Sequence, residues 1–242
     1  FENHKNLKAN LNTSRPFETT IETKEKLEEL GAPFAHPARD VLHLSDIYVE
    51  PQFSSFSIDE TKPNTTASEI YEKLPRLGYI LIRGDEHFGK SCFLNRIFLK
   101  ALSSDVIPVL LTAKELSNGN EEKRDRIIEE RIGEHYGPSC IEHFKKLDYN
   151  NLILLVDDFD SLGTNVENYI RALNYITKKF GNAVLTVSER FEASLLGSGE
   201  VAQLLAKFEE LKMQGFSYAM RTDLIQRWYE LDTSLDRTKV EQ

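Results

Sequence analysis

The sequence predicts an α/β fold: a parallel β-sheet of about five strands sandwiched between α-helices, with an N-terminal extension. Three observations predict it. From about residue 66 onward, short apolar runs alternate with helical stretches. The runs are apolar at every position, as strands covered by helices on both faces are, whereas a strand with one wet face alternates. The composition, 40% hydrophobic and 29% charged over 242 residues, is that of a globular chain with enough apolar material for one large core.

The first 20 residues are polar and without period. Residues 21–30 read as a short charged helix stopped by Gly31, and Pro33 and Pro37 keep residues 31–37 out of regular structure. Residues 41–53 alternate apolar and polar and read as extended; the Ser/Thr-rich stretch 54–65 reads as a loop. Thr66 and Glu69 form a capping-box pattern that opens a short helix. Tyr79-Ile-Leu-Ile-Arg83 is the first buried strand, and 90–102 is a helix with Leu94, Ile97, Phe98, Ala101 and Leu102 on one face. Residues 106–113 form the second strand. Helices are expected over 121–136 and over 138–147, the latter with a proline in its first turn. The third strand, 152–156, ends in Asp157 and Asp158. Thr164 and Glu167 read as a second capping box, opening a helix that ends at Gly181. Strands come next at 183–188 and 209–214, and Ser217 caps a last helix carrying Leu224, Trp228 and Tyr229.

Between the first strand and its helix lies Gly84-Asp85-Glu86-His87-Phe88-Gly89-Lys90-Ser91. It fits GxxxxGK[ST] at every fixed position, and a strand before and a helix after are the context the pattern requires. Glycines let the loop curl so that backbone N–H groups converge on a β-phosphate, while the helix adds the positive end of its dipole. Lys90 then reaches the β- and γ-phosphates, and the Ser91 hydroxyl ligates magnesium. Cys92, the next residue, belongs to the same nucleotide-binding segment. The site therefore predicts ATP (or ADP) and Mg2+ as cofactors; no Asn/Thr-Lys-x-Asp motif for guanine is evident, which favours adenine.

Magnesium also needs a carboxylate at a strand end beside this loop. Asp157 is the residue expected there. Asp160, projecting beyond the strand end, is the candidate for polarising the attacking water; Asp158 is a further catalytic candidate, although as part of a helix-start cluster it could equally offset the dipole of the next helix. The fourth strand ends in Ser188-Glu189-Arg190, where Arg190 is either a sensor of the γ-phosphate or a surface ion-pair partner.

The stretch from about residue 41 to 231 resembles the STAND class of NTPases, most closely its NACHT-like branch. The resemblance is carried by the 84–91 loop, the strand running into Asp160, Val187-Ser188-Glu189-Arg190, and Gln214-Gly215-Phe216-Ser217 with the helix behind it. Upstream, Leu44 to Pro51 looks like the entry segment of bacterial STAND proteins, which implies a place near the adenine for Tyr48 and Val49. The sequence departs at Ser161, where the family has an outer acid. The resemblance implies a slow ATPase switch, in which nucleotide controls self-assembly and activation of an attached effector in response to a protein trigger, in many bacterial relatives for antiviral defence. On this reading residues 1–40 are an extension toward an effector, 41–231 the NTPase domain, and 232–242 a linker toward a further module, so the chain is expected to be part of a longer protein.

Other features narrow the field. The net charge of −9 disfavours direct binding of nucleic acid by this segment, which calls for a concentrated basic surface. Two cysteines far apart give neither a disulfide framework nor a zinc site and point to the cytoplasm. No apolar run reaches the roughly 18 residues that would span a membrane. The histidines share no metal-ligand spacing with acids or cysteines, and Trp228 reads as core. Two further functions stay open: a motor with continuous turnover, for which Arg171 and Arg190 are candidate trans arginines, and a nucleotide-binding scaffold without hydrolysis.

Overall fold

The computed structural model describes residues 17–30, 34–55, 64–104, 106–117, 119–191 and 198–240. In chain order the elements are α1 (Ile21–Leu27), α2 (Leu44–Ile47), β1 (Gln52–Ser55), β2 (Thr65–Thr66), α3 (Ala67–Glu72), β3 (Tyr79–Gly84), α4 (Lys90–Ala101) and β4 (Ile107–Thr112). Then come α5 (Ala113–Leu116), α6 (Glu121–Tyr136), α7 (Ile141–Phe144), β5 (Leu152–Asp157), α8 (Val166–Lys179), β6 (Asn182–Ser188), α9 (Gly199–Leu205), β7 (Glu209–Met213) and α10 (Tyr218–Val240). Short 3₁₀ turns flank several of them.

The strands form one sheet in the order β2-β1-β7-β3-β6-β5-β4. The five strands from β7 to β4 are mutually parallel, as expected. Two short strands that the sequence did not announce extend the edge: β1 pairs antiparallel with β7, and β2 with β1. Helices cover both faces, so β5 and β6 are buried along their length except at their last residues, Asp157 and Ser188. No described helix is long and apolar enough to cross a membrane.

Local rules account for most element ends. Thr66 accepts from the Glu69 amide and Asn120 from the Lys123 amide, each satisfying a free donor in the first turn of its helix. The central helix α4 buries Phe93, Leu94, Ile97, Phe98 and Ala101 completely. Phe93 meets Phe53 of β1 with ring centroids 4.9 Å apart, which ties the antiparallel edge to this helix. The N-terminal segment packs on the same body: Leu27 is 3% exposed, and the Thr20 amide donates to the His135 carbonyl at 2.8 Å.

Three local expectations fail, each for a visible reason, and the last helix is longer than the residues named for it. Within 41–53, expected as extended, a helical turn intervenes because the Asp46 carboxylate captures the His43 amide at 2.8 Å and buries Leu44 and Ile47 three residues apart. Residues 138–147 do not form one helix but a 3₁₀ turn and then α7, with Cys140 and Phe144 buried in the core. The cap of α8 is Asn165, which accepts from the Glu167 amide, while Thr164 lies outside it next to Gly163 at φ 91°. The last helix starts as expected, with the Met220 amide on the Ser217 hydroxyl at 3.3 Å, but continues to Val240 because no Gly or Pro stops it. The expected stop at Gly31 and most of the expected 54–65 loop lie outside the described residues.

Asn182, 4% exposed, fixes where β3 starts against β6: its side-chain oxygen accepts from the Gly78 amide at 3.0 Å. The Asn182→Ala variant should lose about 1–2 kcal/mol, a fall in midpoint of a few degrees for a domain this size. Thermal unfolding by circular dichroism measures it, and an unchanged midpoint would mean that the sheet register is set elsewhere.

Candidate functional site

The site is built at the carboxyl ends of β3, β6 and β5. β3 runs straight into Gly84, where an added Cβ would come within 3.3 Å of Met213 Cβ and 3.6 Å of Lys90 Cδ, so a side chain there would make Met213 give way by a few tenths of an ångström. The loop then turns through His87, exposed and at φ 64°, and reaches Gly89 at φ 88°. Gly89 takes the left-handed conformation at the head of α4, which glycine adopts without steric cost. Its carbonyl accepts from the Phe93 amide at 2.9 Å and starts the helix. Asp85 and Glu86 are exposed, and Phe88 tucks its ring toward Gly215. A strand–loop–helix of this form, on a five-stranded parallel core sandwiched by helices, is the fold of a P-loop NTPase.

The Lys90 side chain is half-buried and folded back on the loop. Its ammonium group curls over the loop and donates to the carbonyls of Gly84 at 2.9 Å and Asp85 at 2.8 Å. Both acceptors are main-chain oxygens of the loop itself, so the amine spans the hollow where the pattern places a phosphate. Ser91 is exposed one residue further on, and Cys92 is half-buried with its thiol pushed up by burial and by Asp157.

Asp157 ends β5, but β5 is not the neighbour of β3. β6 lies between them. The acid expected at a strand end beside the loop thus stands across β6 from the loop strand. β6 supplies the link: the Thr186 hydroxyl donates to Asp157 Oδ1 at 2.6 Å and accepts from the Asp158 amide at 3.0 Å. Asp158 stands at φ 51°, ψ 50°, a left-handed position that Asp tolerates better than most residues. Its carboxylate is exposed and accepts no hydrogen bond among the described residues. Partial burial, Asp157 and Asp160 push its pKa up, against Lys90 and Lys114, which pull it down.

Asp160 is differently employed. Its Oδ2 accepts from the Ser188 amide at 3.1 Å and its carbonyl from the Tyr169 hydroxyl at 2.8 Å, so it clamps the 159–162 turn onto the end of β6. Ser161, in place of an outer acid, holds a buried hydroxyl without a partner among the described residues. Arg190 is exposed on the 3₁₀ turn after β6. Tyr48 lies against the flank of α4, with the Arg96 guanidinium 5.0 Å above its ring, and Val49 is buried.

An oxygen donor set suits magnesium, which keeps much of its water. Ser91 offers a free hydroxyl, and Asp157 offers Oδ2, since Oδ1 is held by Thr186. Among the described residues there is no group of three or more His, Cys, Asp or Glu that could hold a metal unaided.

Sequence reasoning missed two features. One is Arg83, 2% exposed at the end of an otherwise apolar strand, with its Nε on Glu210 at 2.6 Å and a further bond to the Glu189 carbonyl. Glu189 in turn pairs with Lys212, so charged groups tie the ends of β3, β6 and β7 together under the loop. The signal was an arginine inside Tyr79-Ile-Leu-Ile-Arg83. The other is a cavity of about 600 Å³ between α1, α4, α6 and the end of β4, with Asp157 in its wall. It has no sequence signature.

His135 is among the residues lining that cavity and is 7% exposed. Burial pushes its imidazole down to about 3, with Arg131 and Lys26 acting the same way and Glu115 opposing them. The folded protein thus holds a neutral histidine that the unfolded chain protonates below about 6.5. Stability should therefore fall as pH drops below that value, by up to about 1.4 kcal/mol per pH unit from this group. The His135→Phe variant should show a shallower loss between pH 6.5 and 5 in urea titrations. Identical slopes would assign the acid sensitivity to other groups.

No protein-family model matches the chain, and a search of curated proteins finds no match. Among solved structures it is similar to AMPPCP-bound DnaA from Aquifex aeolicus, with a TM-score of 0.45 and 15% identity over 66% of this chain and 48% of that one. It is also similar to domain III of the Thermotoga maritima replication initiation protein DnaA, with a TM-score of 0.47 and 18% identity over 69% of this chain and 67% of that one. A third is the DnaC helicase loader, with a TM-score of 0.37 and 15% identity over 61% and 86% of the two chains. The chain spans about half the length of the first of these.

Proposed function

We propose that this chain binds ATP (or ADP) with Mg2+ and hydrolyses ATP slowly, as a STAND-type switch that governs self-assembly and the activation of an attached effector. The observation that carries the reading is the meeting, at one end of the sheet, of a glycine-bounded loop with Lys90 and a strand ending in Asp157 and Asp158. Backbone amides and Lys90 take the phosphates; Ser91 and Asp157 hold magnesium. Asp158, with a free carboxylate of raised pKa near Lys90, takes the attacking water, and Asp160 keeps the turn in place. Tyr48 and Val49 place the entry segment on the nucleotide helix, from which it can report on the base.

Slow turnover fits Ser161, because a turn with one free acid has lost the second that would hold a water in a single pose. A cytoplasmic setting accords with two cysteines, Cys92 and Cys140, that are not joined in a disulfide. The trigger in this proposal is a protein, and assembly runs through the NTPase domain itself.

The test uses protein freed of nucleotide. ATP–Mg at about 100 times its dissociation constant should stabilise the native state by roughly 2.7 kcal/mol. Phosphate release and sedimentation with and without ATP then separate the readings. Fast turnover without a partner would replace the switch by a motor, and binding with no turnover at all would leave a scaffold. No stabilisation by either nucleotide would sink the proposal.

A further inference from the structure

Between Ala183 and Val187, β6 is apolar except at Thr186, and Thr186 is 0% exposed. A valine has nearly the same shape and suits a buried strand without carrying a hydroxyl into the core. The bonds of the hydroxyl account for its presence. It accepts from the Asp158 amide at 3.0 Å, which leaves its one proton for Asp157 Oδ1 at 2.6 Å. Asp157 Oδ1 also accepts from the Asp158 amide, at 3.1 Å. Both bonds fall on the same oxygen, and Oδ2 accepts none among the described residues.

The position of Asp157 gives these bonds their weight. It ends β5, with β6 between it and the loop strand, and its side chain is only half-buried. Left alone, a carboxylate at such an end can rotate about its side-chain bonds and offer either oxygen. Asp157 lines the same cavity as Asn95, which stands one helical turn beyond Ser91, so the acid and the head of α4 are neighbours. Bonding Oδ1 from two sides holds the carboxylate in one pose and leaves Oδ2 as the ligand atom. Magnesium requires near-octahedral oxygens, which a single fixed oxygen suits better than a carboxylate free to turn.

We propose that Thr186 is the positioning residue of the magnesium site, fixing the Asp157 carboxylate so that Oδ2 is presented to the metal. The proposal rests on the nucleotide-binding reading above and adds to it a residue outside the loop and the acids. Having no exposed surface, Thr186 touches neither metal nor nucleotide and acts only through Asp157.

The test is calorimetry of ATP binding to the whole chain, once in Mg2+ and once in EDTA. The wild type should bind more tightly in Mg2+. Thr186→Val should keep the affinity in EDTA, which depends on the loop and Lys90. In Mg2+ it should lose about 10–100-fold, the usual effect of removing a hydrogen bond that orients a metal ligand. Thr186→Ala also lacks the hydroxyl and should behave alike, so the result does not hang on the packing of one replacement. Thr186→Ser keeps the hydroxyl and should recover most of the loss. In an Asp157→Ala background, Thr186→Val should change nothing further, because the acid it acts through is gone.

The proposal is overturned if Thr186→Val and Thr186→Ala match the wild type in Mg2+, or if affinity falls equally in both buffers. It is also overturned if Thr186→Ser is as weak as Thr186→Val. A wild type that binds equally well with and without Mg2+ would take down the magnesium site of the proposed function as well. A wild type that responds to Mg2+, beside Thr186 variants that respond equally, confines the failure to Thr186.

Discussion

Replacing Lys90 with alanine should abolish the rise in unfolding temperature that ATP–Mg gives the wild type. The expected rise is about 5–10 °C, from roughly 2.7 kcal/mol at 100-fold saturation and about 2–4 °C per kcal/mol for a domain of this size. The variant should unfold close to the wild-type midpoint without ligand. Lys90 contributes only two hydrogen bonds to loop carbonyls at the surface, and water can replace it there. The same two bonds explain why the residue matters for binding: they hold the amine across the hollow before any phosphate arrives, so little side-chain entropy is left to lose. Calorimetry with ATP–Mg gives the loss directly, expected to be at least about 100-fold in affinity. An affinity within a few-fold of wild type would remove Lys90 from the site.

The second large effect should be on turnover. Asp158→Asn should lower the hydrolysis rate by about 10²–10⁴-fold, the usual worth of a residue that positions or deprotonates a nucleophile. Nucleotide affinity should change little. Asp160→Asn, in contrast, should lose less than about ten-fold, because the amide oxygen can still accept from the Ser188 N–H. Neither substitution should unfold the protein. For Asp158 the fold disfavours the charge, since its pKa is raised by burial, Asp157 and Asp160, so a neutral side chain relieves a cost rather than adding one. The ratio of the two rates is the readout, measured by phosphate release under saturating ATP. If Asp160→Asn proved the more damaging, the water would belong to Asp160 and the clamp on Ser188 would be secondary.

Much of this was legible in the sequence because two of its signals are purely local. The core strands β3, β4, β5 and β6 declared themselves by largely apolar runs, and their observed bounds fall within a residue or so of those runs; β7 was placed over 209–214 without such a run. The phosphate loop declared itself by glycine spacing. What stayed hidden depends on who sits next to whom. The order of strands put β6 between the loop and Asp157, and nothing in 152–157 records its neighbours. The division of labour between Asp158 and Asp160 was also illegible, because it turns on the Ser188 amide, which is 28 residues away. β1 and β2 escaped notice since edge strands this short carry too few residues for a period to show. In the 41–53 stretch, alternation was real, but Asp46 captured the backbone first.

β6 also acts as a ruler. Gly84 is level with Ser188 across one strand boundary. Val156 is level with Leu185 across the other, which sets Asp157 beside Thr186. At about 4.8 Å per strand and 3.3 Å per residue, the end of the loop strand and Asp157 stand roughly 10 Å apart across the sheet and 7 Å apart along it. That interval is graduated in peptide hydrogen bonds, which the backbone of β6 makes whatever its side chains. Point substitutions can exchange what stands at either mark. Only an insertion or a slip of β6 can move the marks themselves.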